Sequence, residues 1–378
     1  MGQGEVKFKG GVYGPCVSAS ALWNSTPVHI VARPHCTLWT IMPSARGAHL
    51  TPPCPETPNP SSATNPPLTR GSFLMQSLHL YDAVARLPRA SYSHQAPVLD
   101  CCFENDNVVY AAGLDGQVKR YDVQTTRGAV LGTHAKAVQS VIFLPAQGVL
   151  LSGSWDQGLR MWDPRMAPGQ NCVSSVAVPG KVYAVSAGKE RLVVATSGRH
   201  VLIYDIRRLA GGHGPEALEQ HRESSLKFQT RSLAVYTDGR GYALGSVEGR
   251  VAMEFFDAAD AQANKYAFKC HRRNEGGKDT VYPVHSITFH SGYGTFATGG
   301  GDGVICIWDG ENKKRLFQTA RYPTSVASMS FSRTGEMLAV ASSYAYEQGE
   351  RDHPPDAIYI RAVQDVEVRP KARKPAGV

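Results

Sequence analysis

Residues 149–163 read VLLSGSWDQGLRMWD. An apolar run leads through Ser152 and Gly153 to a turn at 155–158, after which an extended pattern resumes. Two antiparallel strands joined by a tight turn explain this order best. The same order returns in residues 296–309, FATGGGDGVICIWD, where an Asp-Gly dipeptide suits the left-handed backbone of such a turn.

An aromatic residue followed by Asp closes both stretches and recurs along the chain at a nearly constant interval. The dipeptides are Tyr81-Asp82, Tyr121-Asp122, Trp162-Asp163, Tyr204-Asp205, Phe256-Asp257 and Trp308-Asp309. Their Asp residues are 40, 41, 42, 52 and 52 positions apart. A repeat of about 40 to 45 residues ending in Trp-Asp is the signature of one four-stranded propeller blade. The period therefore predicts an all-β propeller of the WD-repeat type.

The innermost strands give the number of blades. Complete starts are found at Val98–Phe103, Val138–Phe143, Val182–Ala187, Ser232–Tyr236, Val284–Phe289 and Val326–Phe331. Residues 72–82 hold only the end of a further blade, so we predict a seven-bladed propeller with an incomplete first blade. The last blade, 325–363, offers three strands. Ring closure would take its outer strand from the N-terminus, for which Glu5–Lys9 is one candidate.

A Ser, a His and an Asp of the third blade invite comparison with a catalytic triad. Ser152, Asp156 and Trp162 would lie near His134. We interpret the set as structural, because WD-repeat propellers, which the chain resembles over most of its length, use these positions for a hydrogen-bond network inside a blade. A catalytic site would also be unique, whereas partial copies recur as His94 with Asp115, and Thr298 with Asp302 and Trp308. We predict no catalytic residue and no enzyme activity.

Composition divides the chain into three regions. Residues 1–71 hold seven prolines within 52–67 and show no blade pattern, so we predict a largely disordered segment. An alternative start explains this segment best, because it stands where the first strands of blade one should be; an organellar transit peptide is the competing interpretation. Residues 72–365 are assigned to the propeller and residues 366–378 to a basic tail.

The formal net charge of +8 comes from 40 basic and 32 acidic residues. Most of the excess lies outside the propeller, since residues 1–70 hold 5 basic and 2 acidic residues and residues 366–378 hold 4 and 1. The remaining 31 basic and 29 acidic residues nearly balance. We therefore expect no direct nucleic-acid binding, and interpret the tail as a solvated end that could also aid nuclear import.

The cysteines and the apolar runs restrict the protein class further. Eight cysteines show no metal-ligand spacing, so we predict no metal site and no cofactor. Their scatter fits a reducing intracellular compartment. No run approaches the 18 apolar residues that a membrane helix needs, and we expect no membrane contact.

Three cations converge on one end of the fifth blade. The start of the innermost strand, the turn between the second and third strands, and the end of the fourth strand share one side of a propeller, here called the top face. Arg231, Arg250 and Lys269 occupy these places, and convergent cations suit a phosphate. The alternative is that each cation extends separately into solvent or pairs with a neighbour such as Glu248 or Glu223.

Trp155 falls in the equivalent turn of the third blade and so also faces the top. An aromatic side chain there suits the anchoring of a docked peptide, because it buries a large apolar area at little entropic cost. The alternative is packing onto the next blade. These two interpretations remain open at this level.

Several phrases of the sequence resemble the Bub-three family of mitotic checkpoint proteins. The resemblance runs from about Ser72 to Lys374 and is carried by RESSLKFQTR at 222–231, VEGRVA at 247–252, YAFKCHR at 266–272 and RYPTS at 321–325. Residues 279–284 and 312–316 look most like family members from green plants and algae. The sister family of Rae-type messenger RNA export factors shares EGRV and FKCHR, but the first and last phrases favour the checkpoint branch.

The resemblance implies a non-enzymatic scaffold of the spindle assembly checkpoint, located in the nucleus and at mitotic kinetochores. Its top face would bind GLEBS motifs of Bub-type kinases or pseudokinases and phosphorylated MELT repeats of the kinetochore scaffold. The family's phosphate contacts correspond to Arg231, Arg250 and Lys269, and its third-blade Trp to Trp155. Contact with the mitotic checkpoint complex and with ubiquitin is also implied. An export adaptor that binds a nucleoporin GLEBS motif and RNA is the alternative.

The chain departs from the family in the first blade. A second top-face Trp is expected in a Ser-Ser-Trp-Asp turn, whereas residues 73–78 read FLMQSL. Trp23 or Trp39 could replace it only if residues 1–71 supplied the missing strands, which their composition does not favour. The departure puts both ring closure and GLEBS binding in question.

Overall fold

The computed structural model describes residues 6–9, 29–32, 41–42, 77–82, 87–125, 127–167, 169–346, 349 and 351–371. Antiparallel four-stranded sheets make up most of these ranges. No helix in them is long and apolar enough to cross a membrane. Most of residues 1–71, which we predicted to be disordered, lie outside the described residues, as do residues 372–378 of the basic tail.

The N-terminal segment contributes three short strands, β1 (Val6–Lys9), β2 (His29–Ala32) and β3 (Ile41–Met42). The first sheet has the order β3-β2-β4-β5, where β4 is Ser77–Asp82 and β5 is Leu87–Ser93. The composition of residues 1–71 did not favour replacement strands, and here the structure differs. The short strand β2, which holds the β-branched Ile30 and Val31, pairs with β4 and covers an edge that would otherwise be open. Trp23 and Trp39 lie outside the described residues.

Six complete blades follow; in five of them the strands run in sequence order from the centre outward, and the last takes its outermost strand from the start of the chain. In blades two to four the strands are β6 (Val98–Asn105), β7 (Val108–Gly113), β8 (Gln117–Asp122), β9 (Gly128–Thr133), β10 (Val138–Leu144), β11 (Val149–Ser154), β12 (Gly158–Trp162), β13 (Cys172–Ala177), β14 (Val182–Gly188), β15 (Arg191–Thr196), β16 (His200–Asp205) and β17 (Leu218–Glu223).

Blades five to seven contain the remaining strands and one additional hairpin. The strands are β18 (Thr230–Val235), β19 (Gly241–Ser246), β20 (Arg250–Phe255), β21 (Tyr266–Lys269), the hairpin β22 (Arg272–Glu275) and β23 (Lys278–Val281), then β24 (Val284–Phe289), β25 (Phe296–Gly300), β26 (Ile305–Asp309), β27 (Lys314–Gln318), β28 (Val326–Phe331), β29 (Met337–Ser342) and β30 (Ala357–Ala362). The innermost strands lie at or within two residues of the predicted positions.

Helices are few and short: α1 (Ile206–Ala210), α2 (Ala258–Asn264), α3 (Asp365–Val368), and 3-10 turns at Ser197–Arg199 and Gly214–Ala217. Two of them begin at an Asp of the aromatic-Asp repeat. The carboxylate of Asp205 accepts hydrogen bonds from the first backbone amides of α1, and that of Asp257 does the same for α2. The repeat therefore also supplies helix N-caps.

The last blade is completed by the first strand of the chain. β1 pairs antiparallel with β30, with Val6 opposite Ile360 and Lys9 opposite Ala357. This pairing confirms the predicted closing strand over Val6–Lys9. It also covers the outer edge of β30, which would otherwise present unpaired backbone groups.

A β-bulge recurs at the second residue of each innermost strand in blades two to seven. The bulged residues are Leu99, Gln139, Tyr183, Arg231, His285 and Ala327. A bulge leaves one residue outside the ladder and re-aims its side chain. Because the innermost strands of consecutive blades from two to seven contact each other, these residues follow one another around the top of the central channel.

The hydrophobic core is divided into layers between neighbouring blades. One layer joins blades three and four through Leu151, Met161 and Leu192, and another joins blades six and seven through Ile307, Met329 and Leu338. Similar layers lie between the other consecutive blades from one to six. Blades two to six thus bury both faces, which makes this part of the propeller a rigid support for its loops.

Candidate functional site

The Ser, His and Asp of blade three form a closed hydrogen-bond network. His134 Nε2 lies 2.7 Å from Ser152 Oγ, His134 Nδ1 lies 3.0 Å from Asp156 Oδ2, and Trp162 Nε1 donates to Ser152 Oγ at 2.7 Å. Ser152 is fully buried. Burial lowers the pKa of His134 and outweighs the opposing effect of Asp156. The predicted structural network is confirmed.

Blade six contains a complete second copy rather than the predicted partial one. His271 supplies the missing member, with Nδ1 2.9 Å from Asp302 Oδ1 and Nε2 2.9 Å from Thr298 Oγ1. Trp308 Nε1 donates to the same hydroxyl at 2.9 Å. His271 was missed because nine more residues separate it from its Asp than separate His134 from Asp156, and a hairpin, β22–β23, fills that distance.

The strongest cationic pair lies at the top edge of blade five. Arg250, the first residue of β20, stands directly opposite Lys269, the last residue of β21. Glu248 approaches the pair, with its Oε1 3.4 Å from Arg250 Nε. The side chain of Arg250 is 38% exposed. The structure thus brings two of the predicted cations together and also shows the predicted alternative partner, Glu248.

Arg231 is the bulged residue of β18 and lies at the top of the central channel. Its Nε donates to Nδ1 of His285, the bulged residue of the next blade, at 3.3 Å. The bulge aims Arg231 out of the ladder. Arg231 is the second residue of β18 rather than the residue before the strand. No contact joins it to Arg250 or Lys269 in the part of the chain that the structure describes, so their convergence on one phosphate stays a prediction.

Arg272 is a further cation at this edge to which the sequence assigned no role. It begins β22, and its Nη2 donates to the backbone carbonyl of Glu248 at 3.0 Å. Among the described residues, the Nε atom of Arg272 is buried without a hydrogen-bond acceptor, and that of Arg250 faces only the Glu248 carboxylate, at 3.4 Å. Buried donors without acceptors are costly, which makes this edge receptive to an anionic ligand. The only sequence signal was the CHR triplet, which lies outside the blade pattern.

Trp155 is half-buried on the top face of blade three. Its backbone amide donates to the carbonyl of Ala137 at 2.9 Å, which holds the turn against the start of β10. Lys181 Nζ lies 5.9 Å from the centre of its ring, and the indole Nε1 is buried with no acceptor among the described residues. The side chain therefore partly packs toward the next blade, as the alternative interpretation holds, and keeps one hydrogen-bond donor unused.

Phe228 is a second large apolar side chain near the candidate site, and sequence reasoning assigned it no separate role. It is 54% exposed and lies in the loop that enters blade five, three residues before Arg231. Leu226 of the same loop is buried, and its amide donates to Ser224 Oγ at 3.2 Å. The loop is anchored on both sides of an exposed aromatic ring.

The described residues contain no group of three or more His, Cys, Asp or Glu side chains that could hold a metal as they stand. Among the described cysteines, Cys101, Cys102, Cys270 and Cys306 are buried and Cys172 is exposed. Burial raises the pKa of Cys306 to about 11, so its thiolate is not accessible near neutral pH.

Two segments of the chain match a known family model. Residues 126–163 and 268–309 match the family model described as WD domain, G-beta repeat. The class of the protein is therefore a WD-repeat β-propeller, as predicted, with six blades shown.

Three relatives indicate the family of WD-repeat proteins to which the chain belongs. The mitotic checkpoint protein BUB3.1 of Arabidopsis thaliana is 48% identical over 88% of this chain and 97% of its own length. The mitotic checkpoint protein bub3 of Dictyostelium discoideum is 45% identical over 76% of this chain and 85% of its own length. The poly(A)+ RNA export protein of Schizosaccharomyces pombe is 36% identical over 76% of this chain. The chain belongs to the Bub-three family of mitotic checkpoint proteins, which confirms the resemblance.

Proposed function

We propose that this protein is a non-enzymatic scaffold of the spindle assembly checkpoint that acts in the nucleus and at mitotic kinetochores. Its top face would bind phosphorylated MELT repeats of the kinetochore scaffold and GLEBS motifs of Bub-type kinases. Contact with the mitotic checkpoint complex and with ubiquitin belongs to the same proposal. The 48% identity to a mitotic checkpoint protein supports the role, and the top-face cations support the ligand class.

The cross-strand pair of Arg250 and Lys269 carries the phosphopeptide proposal. Both side chains start from adjacent strand ends, so they can close on one phosphate without moving the backbone. Glu248 is the carboxylate that a phosphate would replace beside Arg250. The buried Nε atoms of Arg250 and Arg272 would gain acceptors. Arg231 would add a third contact from the channel rim if its bond to His285 exchanges.

Titration with a MELT peptide in phosphorylated and unphosphorylated forms tests this site. We expect the combined Arg231→Ala and Arg250→Ala substitutions to weaken phosphopeptide binding at least tenfold, since each charge-assisted contact contributes about 1.5–3 kcal/mol. Arg240→Ala is the matched control, because Arg240 pairs with Asp238 in the turn at the opposite end of the same blade. Equal affinity of the double variant and the control would exclude this phosphate site.

Trp155 is the proposed anchor of the GLEBS peptide. Its unused Nε1 donor would bond a peptide carbonyl, and its ring would cover apolar side chains. Trp155→Ala should remove most binding of a GLEBS peptide, whereas Trp155→Phe should keep the apolar contact and lose only the hydrogen bond. Phosphopeptide affinity in both variants reports whether the propeller is intact.

The first sheet would serve as blade one and so bring the closed ring to seven blades. Its order, β3-β2-β4-β5, provides four strands, and Leu78 and Leu80 on β4 are buried in the layer against blade two. Deleting residues 29–42 should then lower thermal stability and GLEBS affinity together. Full retention of both would show that these strands are not part of the working ring.

A messenger RNA export adaptor is the second candidate. The observation that favours it is the 36% identity to a poly(A)+ RNA export protein. Such an adaptor should bind RNA with an affinity that falls steeply with salt, together with a nucleoporin GLEBS peptide. The nearly balanced charge of residues 71–365 favours the checkpoint role, and a steep salt dependence of RNA binding would reverse that preference.

A further inference from the structure

Two histidines on the outer half of blade four lie outside the proposed peptide contacts. His200 is the first residue of β16, and His221 lies in the neighbouring strand β17. His200 Nδ1 is 3.1 Å from His221 Nε2, and the ring centres are 5.1 Å apart with planes inclined by 59°. The two imidazoles therefore present one nitrogen each to the same small space.

This nitrogen separation matches that of two ligands on one metal ion. Zinc binds imidazole nitrogen at about 2.0–2.1 Å, so two nitrogens at a tetrahedral angle are about 3.3 Å apart. At a tetrahedral angle, each lone pair would turn about 35° off the line between the two nitrogens, which lie 3.1 Å apart, to point at a common centre. Imidazole ligands suit zinc, nickel and copper ions.

The strand register supplies a third donor on the same face. His200 stands directly opposite Glu223, and His221 precedes Glu223 by two residues in β17. Directly opposed residues, and residues two apart in a strand, point to the same side of a sheet. His200, His221 and Glu223 therefore share one face of blade four. The Glu223 carboxylate is 68% exposed and is held by Arg199, with Oε1 3.0 Å from Arg199 Nη2.

The backbone that carries these side chains is well fixed. A turn at Ser197–Arg199 precedes His200, and the amide of Ser224 donates to the carbonyl of Arg199 at 2.8 Å. Gly198 adopts a positive φ of 77°, and a Cβ there would lie 3.1 Å from His200 Nε2. Glycine thus leaves room for the His200 ring, which directs its Nδ1 toward His221.

We propose that His200 Nδ1 and His221 Nε2 bind one divalent first-row transition ion of the zinc, nickel or copper group. Glu223 becomes the third ligand when its carboxylate turns from Arg199, and water completes the coordination. The ion would tie the top ends of β16 and β17 together beside the loop that enters blade five. This site is independent of the peptide ligands proposed above.

Zinc titration of the full-length, untagged chain by calorimetry tests the proposal. We expect one zinc ion per chain and at least a tenfold loss of affinity in both His200→Gln and His221→Gln. His213→Gln is the matched control, since His213 is an exposed histidine of the same blade whose Nδ1 bonds the carbonyl of Arg208. Zinc affinity unchanged in the two site variants, or no zinc binding to the parent chain, would overturn the proposal.

Three further measurements separate zinc binding at this site from a purely structural role of the histidines and from metal binding by cysteines. Arg199→Ala should tighten zinc binding by freeing Glu223, and Glu223→Gln should weaken it; a purely structural His-His hydrogen bond predicts neither effect. Cobalt bound here should show no thiolate-to-metal charge-transfer band, whereas a band would assign the metal to cysteines and refute the site. Zinc should also raise the melting temperature of the parent chain and leave that of His221→Gln unchanged.

Discussion

Asp100 Oδ2 accepts a 2.6 Å hydrogen bond from the backbone amide of Val141. The bond joins the innermost strand of blade two to that of blade three, and Asp100 is fully buried. An equivalent bond joins blades six and seven, where Ser286 Oγ accepts from the amide of Met329 at 3.1 Å. Neighbouring blades are thus connected by polar contacts as well as by apolar layers.

Replacing Asp100 should test how much such a connection contributes. Asp100→Ala leaves the amides of Val141 and Cys101 without their acceptor, and we expect unfolding free energy to fall by about 2–3 kcal/mol. Asp100→Ser, which copies Ser286, should restore part of the loss. Urea unfolding measures both. Equal stability of the parent and the Ala variant would show that the connection contributes nothing.

A substitution at Ala111 in blade two should raise the stability of the protein. This residue stands four positions before Asp115, as Ser152 does before Asp156, but it lacks the hydroxyl. His94 Nε2 and Tyr121 Oη are buried without a hydrogen-bond partner in the part of the chain that the structure describes. Ala111→Ser should satisfy at least one of them and raise unfolding free energy by about 0.5–1.5 kcal/mol.

The neighbouring alanine provides the control for that substitution. Ala112 is equally buried but points to the other face of the strand, where Val118 and Val138 pack. Ala112→Ser should therefore destabilise the protein, because it buries a hydroxyl in an apolar layer. A similar change in melting temperature for both variants would contradict the assignment.

Gln157 adopts a backbone conformation that favours glycine. Its φ is 67°, and the equivalent turns of blades two, five and six hold Gly116, Gly249 and Gly303 at φ between 65° and 75°. Gln157→Gly should raise stability by about 0.5–1 kcal/mol, since a left-handed side chain costs about 1–2 kcal/mol and glycine loses part of that gain to entropy. The reverse change, Gly303→Gln, should destabilise the protein, and thermal melts compare the two.

Acid should destabilise the propeller through its buried histidines. Burial lowers the pKa values of His94 and His134 below the ordinary value of 6.5, so the unfolded chain binds more protons than the native one below that pH. Their contribution is complete above about pH 6.5 and is lost as the pH falls toward the native pKa values. Urea unfolding between pH 8 and pH 5 should show this decline, and His134→Gln should reduce it. Stability that rises on acidification would contradict this sign.

Glu248 should compete with a phosphorylated ligand. Glu248→Gln removes the carboxylate beside Arg250, and we expect phosphopeptide affinity to rise by a factor of about 1.4–5, which corresponds to about 0.2–1 kcal/mol for an exposed ion pair. Glu223→Gln is a suitable control, because Glu223 pairs with Arg199 in blade four. A loss of affinity in Glu248→Gln would instead assign Glu248 a role in orienting Arg250.

Patterns within short stretches of sequence predicted the positions of most strands. The features that they missed depend on contacts between residues far apart in the chain. Alternation and turn residues located the innermost strands and the outer strand Tyr266–Lys269 because both are local signals. His271 escaped detection because a hairpin separates it from Asp302, and the bond of Arg231 to His285 depends on which blades are neighbours. The pairing of β2 with β4 joins residues 47 to 53 positions apart and has no signature in either strand alone.

The pairing of β1 with β30 has a consequence for the order of folding. The two strands are separated by almost the whole chain, so β1 has no partner until the last blade has been synthesised. Blades two to six can assemble while the ribosome is still translating, but the ring can close only afterwards. Between the synthesis of β30 and its pairing with β1, the outer edge of β30 is open to pairing with other chains. Cells that need this protein quickly would therefore depend on chaperones more for its final strand than for its core.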